Sequence, residues 1–547
     1  MNAIRHILAL GACLLFFSTG YAVQLRRSPG MPNTDYAGTI DRDNPVIWET
    51  SGQTYMTKGA GPGDYANRDI IRTGVQEYLV VLVDFIDRHF FYQDTDRLRN
   101  HFNRVFNEKG YSDIPMSEYY NEPIKPTIGC VSDYFHAQSY GQYTPKFKII
   151  GPIHASKGYA YYGKGDDAAT KKLVREICDS ITANGLVNLN NYIRNGNLDS
   201  FFFIYAGRGE NYYGADKNCI FPHADTIRNY KSIKNITYAC SCELFWDTDT
   251  IMDGIGTICH EFAHTIGLPD FYNKYSDANS EAVAAMGFWS LMDYGNYENA
   301  GFTPVGFTAF EKYSLGWMDI EEISSPDHYV LNDISRMTDP DAGIHTAYRI
   351  NTSQENSFII LENHIKTGWY SFHATEGLMV TTVRYDNISW TGNTVNTSSN
   401  SANKRYHILP ADNDYKRNTN AGDLFPYKNS DSITTTGEPL LAVASNKPDY
   451  SVYNIRKEGK TVSFYVGPDS KSNVEKHYYK NNISIDVIGG ELSVTAPIGS
   501  MVSIHDISGR TVSETVTTQS SQRIALPGRG VWIIKCGNIV RKLKIEN

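Results

Sequence analysis

The stretch ICHEFAHTIGLPDFYN, from Ile258 to Asn273, constrains the fold more than any other part of the chain. Ile255, Ile258, Phe262 and Ile266 recur at helical spacing, which predicts a helix over residues 254–266 with an apolar face. His260 and His264 stand four apart, so their side chains leave that helix on one face about 6 Å apart. Gly267 can end the helix in a left-handed conformation, which glycine adopts without a Cβ penalty. Leu268-Pro269 then turns the chain, so Asp270 can swing back toward the two histidines.

Two imidazoles at that separation suit a single zinc ion, and a carboxylate oxygen is an acceptable third ligand. Three protein ligands leave the fourth position open, the catalytic arrangement rather than the structural one. Glu261 sits beside the first histidine, angled away from the metal, where it can serve as a base. With 15 histidines in 547 residues, this pattern together with Gly267 and Asp270 at their offsets would arise by chance in roughly one in 10⁴ such chains. Three rival readings remain open. In a gluzincin-type site the third ligand is a glutamate further along, and Glu281 is available. A zincin-shaped adhesin would hold zinc without catalysis, though it has no need of Glu261. A structural-metal domain would fill all four positions with protein.

Around this segment the chain divides by texture. Residues 1–22 carry Arg5 and His6, then an apolar run from Ile7 to Phe17 and a small-residue end at Ala22, the pattern of a secretory signal peptide. Residues 23–74 are rich in Pro, Gly, Asp, Asn and Thr and are expected to be a leader or propeptide. A compact domain is expected over residues 75–324. Its apolar runs Tyr78–Phe85 and Ser200–Tyr205 suit buried central strands. Leu98, Phe102 and Phe106 mark one helix, Leu173, Ile177 and Ile181 a second, and residues 304–316 a third. From about residue 325 to 468 short apolar segments alternate with Asn/Ser/Asp loops, which predicts a β-rich accessory domain. Within it, the Asn/Thr/Ser run over residues 391–402 is expected to be a surface loop. A polar linker at residues 469–476 precedes a strand-like section, residues 477–547.

A net charge of -9 argues against a nucleic-acid binder, which needs a basic footprint. After Ala22 no run approaches ~18 apolar residues, so no transmembrane helix is expected. Seven cysteines follow the signal segment. In an exported chain some can pair, and Cys259 reads as a buried small hydrophobe.

Downstream, Trp289-Ser290-Leu291-Met292-Asp293-Tyr294-Gly295 has the Ser-x-Met-x-Tyr shape. With the histidine motif it resembles the metzincin zinc peptidases. The resemblance implies that Met292 forms a methionine turn beneath the metal without ligating it, and that Tyr294 stabilises the oxyanion. Asp270 stands where those enzymes commonly have a third histidine. The stretch from His260 to Tyr272, Trp289–Met292 and Lys312–Trp317 look like the immune-inhibitor-A-like family of secreted bacterial metallopeptidases. Val81–Phe85, Val131–Phe135 and Leu361–Asn363 extend that likeness over roughly residues 75–466.

The family implies an α+β zincin-type catalytic domain, a mixed sheet with an active-site helix, followed by β-rich structure. It further implies a zinc endopeptidase acting on protein or peptide substrates, with zinc held by His260, His264 and Asp270 and Glu261 as general base. Calcium sites also occur in that family, and Asp412-Asn413-Asp414 is the candidate calcium loop. Val502–Arg510 and Leu526–Lys535 resemble the small C-terminal β-sandwich used as a sorting domain by type IX secretion in Gram-negative bacteria. That likeness implies export to the cell surface or medium, with the secretion machinery as a partner.

Overall fold

The computed structural model describes residues 70–545, except 114–123, 164–166, 212–215, 217, 246–249, 273–284, 398–403, 416–420, 435–447, 468–482, 489–490, 497–499, 520 and 538. The signal segment, residues 23–69 of the leader, Glu281 and the 469–476 linker therefore lie outside the described residues.

The first domain is organised around central strands that are buried on both faces. β1 (Gly74–Asp84) is buried from Tyr78 onward and lies between β2 (Tyr143–His154) and β4 (Asn197–Arg208), parallel to both. β3 (Ile193–Arg194) is a short antiparallel partner of β4. β5 (Ala224–Tyr230) and β6 (Ile233–Leu244) complete the sheet in the order β2-β1-β4-β6-β5. β6 runs parallel to β4, while β5 is an antiparallel edge. Alternation along β1 explains how both sheet faces are covered. Leu79, Val81 and Val83 join one core with α3 (Asp167–Ala183), through its Leu173, Ile177 and Ile181. Tyr78, Val80 and Leu82 join the other, with α1 (Thr95–Asn107), α2 (Val131–Gln138) and α4 (Gly256–Thr265).

Helix α4 is buried at all ten positions. Phe262 anchors it, with ring centroids 5.3 Å from Tyr78, 5.0 Å from Phe135 and 5.2 Å from Phe147. Its N-terminal turn lies so close to the 3-10 segment Tyr294–Gly301 that a Cβ on Gly256 would meet the Asn296 carbonyl oxygen at 1.9 Å. Gly256→Ala is therefore expected to destabilise the domain by at least ~1–3 kcal/mol, the usual cost of overpacking. A denaturant melt unchanged from wild type would contradict this packing.

The helix predicted over residues 304–316 is shorter than expected. Only α5 (Ala309–Ser314) is helical, because Thr308 caps it: its hydroxyl accepts from Glu311 N–H, and the Glu311 carboxylate accepts from Thr308 N–H. The segment before it is irregular, and its Phe307 carbonyl accepts from the Tyr370 hydroxyl at 2.7 Å.

The core around α4 does not end at residue 324. Phe358, Ile360, Met379, Val383, Trp390, Tyr406 and Leu424 belong to it. The strands here are β7 (Glu321–Glu322), β8 (Asp327–Leu331), β9 (Ala347–Asn351), β10 (Ser357–His364), β11 (Gly377–Arg384), β12 (Tyr406–Ile408), β13 (Ser451–Glu458) and β14 (Thr461–Gly467); β10, β11 and β12 supply five of those residues, while Trp390 and Leu424 lie between strands. The strands form a sheet β12-β11-β10-β9-β7 and a second, β13-β14-β8, with a common core that includes Leu361, Val380 and Phe464. The tail forms β15 (Ser484–Ile488), β16 (Glu491–Thr495), β17 (Met501–His505), β18 (Thr511–Val516), β19 (Ser521–Ile524), β20 (Gly530–Cys536) and β21 (Ile539–Ile545). These make sheets β15-β16-β19 and β18-β17-β20-β21, which share a core of residues such as Leu492, Val494, Ile504 and Ile534.

Two further expectations change. None of the seven cysteines from Cys130 to Cys536 is paired, and six of them are buried. The 391–402 stretch is not wholly a surface loop: Val395 and Asn396 are buried, and the Asn396 side chain ties Phe271 to Tyr406 and Arg405. Among the described residues, no helix is long and apolar enough to cross a membrane.

Candidate metal centre

Three turns set the donor atoms. The first closes α4. Gly267 N–H donates to the His264 carbonyl and Leu268 N–H to the Ala263 carbonyl, the paired bonds of a Schellman C-cap, with Gly267 at φ 112°. This leaves the Leu268 carbonyl facing back, where it accepts from His264 Nδ1 at 2.7 Å. The second turn runs from Ser290 to Gly295, and its Leu291 carbonyl accepts from His260 Nδ1 at 2.8 Å. With each Nδ1 bonded to a carbonyl, a neutral ring keeps its proton there and leaves its Nε2 lone pair facing Asp270.

The third element arrives from far along the chain. Asn393, at φ 51°, follows the short helix α6 (Asn387–Thr391). Its Oδ1 accepts from Asp270 N–H at 2.7 Å, and its Nδ2 donates to Asp270 Oδ2 at 2.8 Å. That two-pronged hold turns Asp270 Oδ1 toward the histidines, 3.2 Å from His260 Nε2 and 3.0 Å from His264 Nε2. Atoms that ligate one ion at about 2.0–2.2 Å in tetrahedral geometry lie roughly 3.2–3.6 Å apart, so the three donors stand close to the spacing a zinc ion needs.

The electrostatics agree with that donor set. Burial alone would lower the His260 pKa. The Asp270 hydrogen bond, with the charges of Glu261 and Asp270, outweighs burial and pushes it up to about 9. The pocket thus favours a positive charge between imidazole and carboxylate. Glu261, beside His260 and buried, is held above the usual carboxylate range by burial, with Asp270 adding to the effect.

Met292 is buried, and its carbonyl accepts from Phe271 N–H at 2.7 Å. The 290–295 turn therefore fixes both the His260 ring, through Leu291, and the segment that carries Asp270. Tyr294 is half-buried at the start of the 3-10 segment, its ring 5.9 Å from Phe288. Near it stands Tyr272, whose hydroxyl bonds Asp270 and is raised well above its ordinary pKa, by burial first and then by Asp270 and Glu261.

Sequence reasoning missed Asn393, Tyr272 and His223. His223 precedes β5, bonds Tyr238 at 3.1 Å, and its charge acts on Glu261. Tyr272 lies within the motif, but nothing in a one-dimensional pattern sets its rotamer. Asp412-Asn413-Asp414 forms a local turn in which Asp414 N–H donates to Asp412. Among the described residues, neither aspartate belongs to a cluster of three or more His, Cys, Asp or Glu donors.

The turn also has a titratable support. Glu311 accepts from the Ser290 hydroxyl at 2.5 Å, and burial pushes its pKa up to about 7. An unfolded glutamate titrates near 4.3, so between about 4.3 and 7 the native state holds more protons than the unfolded one. Stability from this group is complete below that range and is lost as pH rises through 7. Wild type is thus expected to lose more than about 1 kcal/mol relative to Glu311→Gln between pH 5 and pH 8. Parallel urea melts check this, and a pH-independent difference would contradict it.

Residues 69–318 match the family model described as Immune inhibitor A peptidase M6, catalytic domain. The pre-pro-metalloprotease PrtV of Vibrio cholerae serotype O1 is 24% identical over 298 residues, 47% of this chain and 32% of that protein. Immune inhibitor A of Bacillus thuringiensis subsp. alesti is 26% identical over 346 residues, 55% of this chain and 48% of that one. The chain thus spans from about a third to about half the length of these curated relatives. Among solved structures, wild-type OgpA from Akkermansia muciniphila covers 55% of this chain and 74% of its own at 14% identity, with a TM-score of 0.24. That superposition is too loose to bear on the fold.

Proposed function

We propose that the chain is an exported zinc-dependent endopeptidase in which His260, His264 and Asp270 hold the metal and Glu261 is the general base. The observation that carries this reading is the convergence of His260 Nε2, His264 Nε2 and Asp270 Oδ1 within 3.0–3.2 Å, with a buried Glu261 at their side. The match to a metallopeptidase catalytic domain supports it. Zinc, when bound, supplies a Lewis acid that lowers the pKa of a coordinated water to near 7.

The chain's own groups do the rest. Glu261 takes a proton from the attacking water and returns it to the amine that leaves. Its raised pKa suits both halves of that transfer, because a base that titrates nearer neutrality is also a competent acid. Tyr294 donates to the carbonyl oxygen as negative charge develops on it. The Leu268 and Leu291 carbonyls hold the imidazoles in the required tautomer, and Asn393 orients the carboxylate. Among the described residues β5 pairs only with β6, so its outer edge has backbone groups to which an extended peptide can add as a strand.

Residues 477–547 we read as the export address for type IX secretion. Their sequence likeness supports this, as does a β-fold with its own core.

Casein hydrolysis by the purified chain tests the proposal. Cleavage that 1,10-phenanthroline abolishes and added zinc restores is the expected result. A zinc-loaded chain that binds casein without cutting it would mean an adhesin instead.

A further inference from the structure

A second set of donors lies at the carboxyl end of β1, and the backbone builds it. Phe85 and Arg88 close a tight turn through reciprocal hydrogen bonds of 2.8 and 3.3 Å, which makes Asp84 and His89 the next opposed pair. On the other side Asp84 is the register partner of His154 at the end of β2. Cross-strand partners present their side chains to the same face, so His89, Asp84 and His154 form a row across three segments. The contacts follow. His89 Nδ1 is 2.8 Å from Asp84 Oδ2, and His154 Nδ1 is 2.5 Å from Asp84 Oδ1. One donor atom from each residue lies within 4.8 Å of the other two, as in the His260-Glu261-His264 group.

The chemistry of the row is specific. The Asp84 side chain is 5% exposed, while those of His89 and His154 are 55% and 72% exposed. A carboxylate is thus buried with two imidazoles between it and solvent, an arrangement that a cation completes. Two nitrogens and one oxygen suit zinc and its neighbours rather than calcium or magnesium, which take oxygen donors. The exposed rings leave room for water to fill the remaining positions. The place in the fold also favours a ligand. β1 is the strand from which the chain goes first to β2 on one side and later to β4 on the other, and ligands of open α/β sheets collect at the carboxyl ends beside such a switch point.

We infer that Asp84, His89 and His154 form a second zinc site, separate from His260, His264 and Asp270, which ties the β1–α1 turn to the end of β2. Its zinc content does not depend on the peptidase reading. Full-length chain is loaded with zinc, dialysed against metal-free buffer and assayed for metal. Wild type is expected to retain two zinc ions per chain, His89→Ala/His154→Ala one, and His260→Ala/His264→Ala one. Zinc should raise the melting temperature of the His260→Ala/His264→Ala variant, and adding His89→Ala/His154→Ala should remove that rise. Both exposed histidines can be replaced without opening the core, and the folded baseline of the melt verifies this. Equal zinc content in wild type and His89→Ala/His154→Ala overturns the inference, as does a zinc-induced rise that survives the fourfold change. If only the peptidase reading fails, the one-ion difference between those two proteins persists.

Discussion

Glu261→Ala is expected to lose casein hydrolysis by roughly 10²–10⁴-fold, the range that a positioned acid–base group contributes. The zinc bound at His260, His264 and Asp270 should be unchanged. The separation of the two effects is the point. Glu261 is buried beside the donors, yet the histidine tautomers are fixed by Leu268 and Leu291, and the carboxylate that approaches both Nε2 atoms belongs to Asp270. On the proposed reading, removing Glu261 takes away a proton carrier and leaves the metal cradle. Parallel measurement of hydrolysis rate and zinc content checks this. A variant that lost both would make Glu261 part of the cradle, and one that kept wild-type hydrolysis would end its assignment as the base.

Asp270→Ala is expected to fail in the opposite order, with metal lost first and activity as a consequence. The variant keeps two imidazoles but no anionic ligand, so zinc affinity should fall by more than the roughly 10–100-fold typical when a group that orients a ligand is removed. Asn393→Ala supplies that comparison. It leaves the Asp270 carboxylate in place but takes away both hydrogen bonds that aim it, at 2.7 and 2.8 Å. The affinities, measured by competition with a chromophoric chelator, should fall in the order wild type, Asn393→Ala, Asp270→Ala. Wild-type affinity in Asp270→Ala would transfer the third-ligand role to another carboxylate, with Glu281 the first to test.

Much of this site is local, and for that reason it can be read from the chain. The i, i+4 histidines, the glycine that closes the helix and the aspartate after Pro269 all lie within eleven residues. Helical geometry and a C-cap carry them most of the way to one point. The long apolar runs of β1 and β4 are equally legible, because a strand covered on both faces has no polar alternation to hide it. What sequence could not supply is whatever depends on a meeting of distant segments. Asn393 is 123 positions from Asp270, in a polar run that reads as surface, and only the fold turns it inward. The early strand β2 mixes Lys146, Lys148, Gly151 and Pro152 among its apolar residues, and this obscures its periodicity. Residues 304–307 lack the bonds of a helix because Thr308 begins one, a cap whose partner Glu311 also serves the Ser290 turn. Asp84 likewise looks like the polar end of a strand until register sets a histidine on either side of it.

The central claim is a metal held by three protein donors with one position open. A crystal structure of the zinc-loaded chain, with anomalous diffraction at the zinc edge, tests it most directly. The account predicts a zinc peak about 2.0–2.2 Å from His260 Nε2, His264 Nε2 and Asp270 Oδ1, with no fourth protein ligand. A peak bonded to a glutamate in place of Asp270, or closed by a fourth side chain, would contradict it.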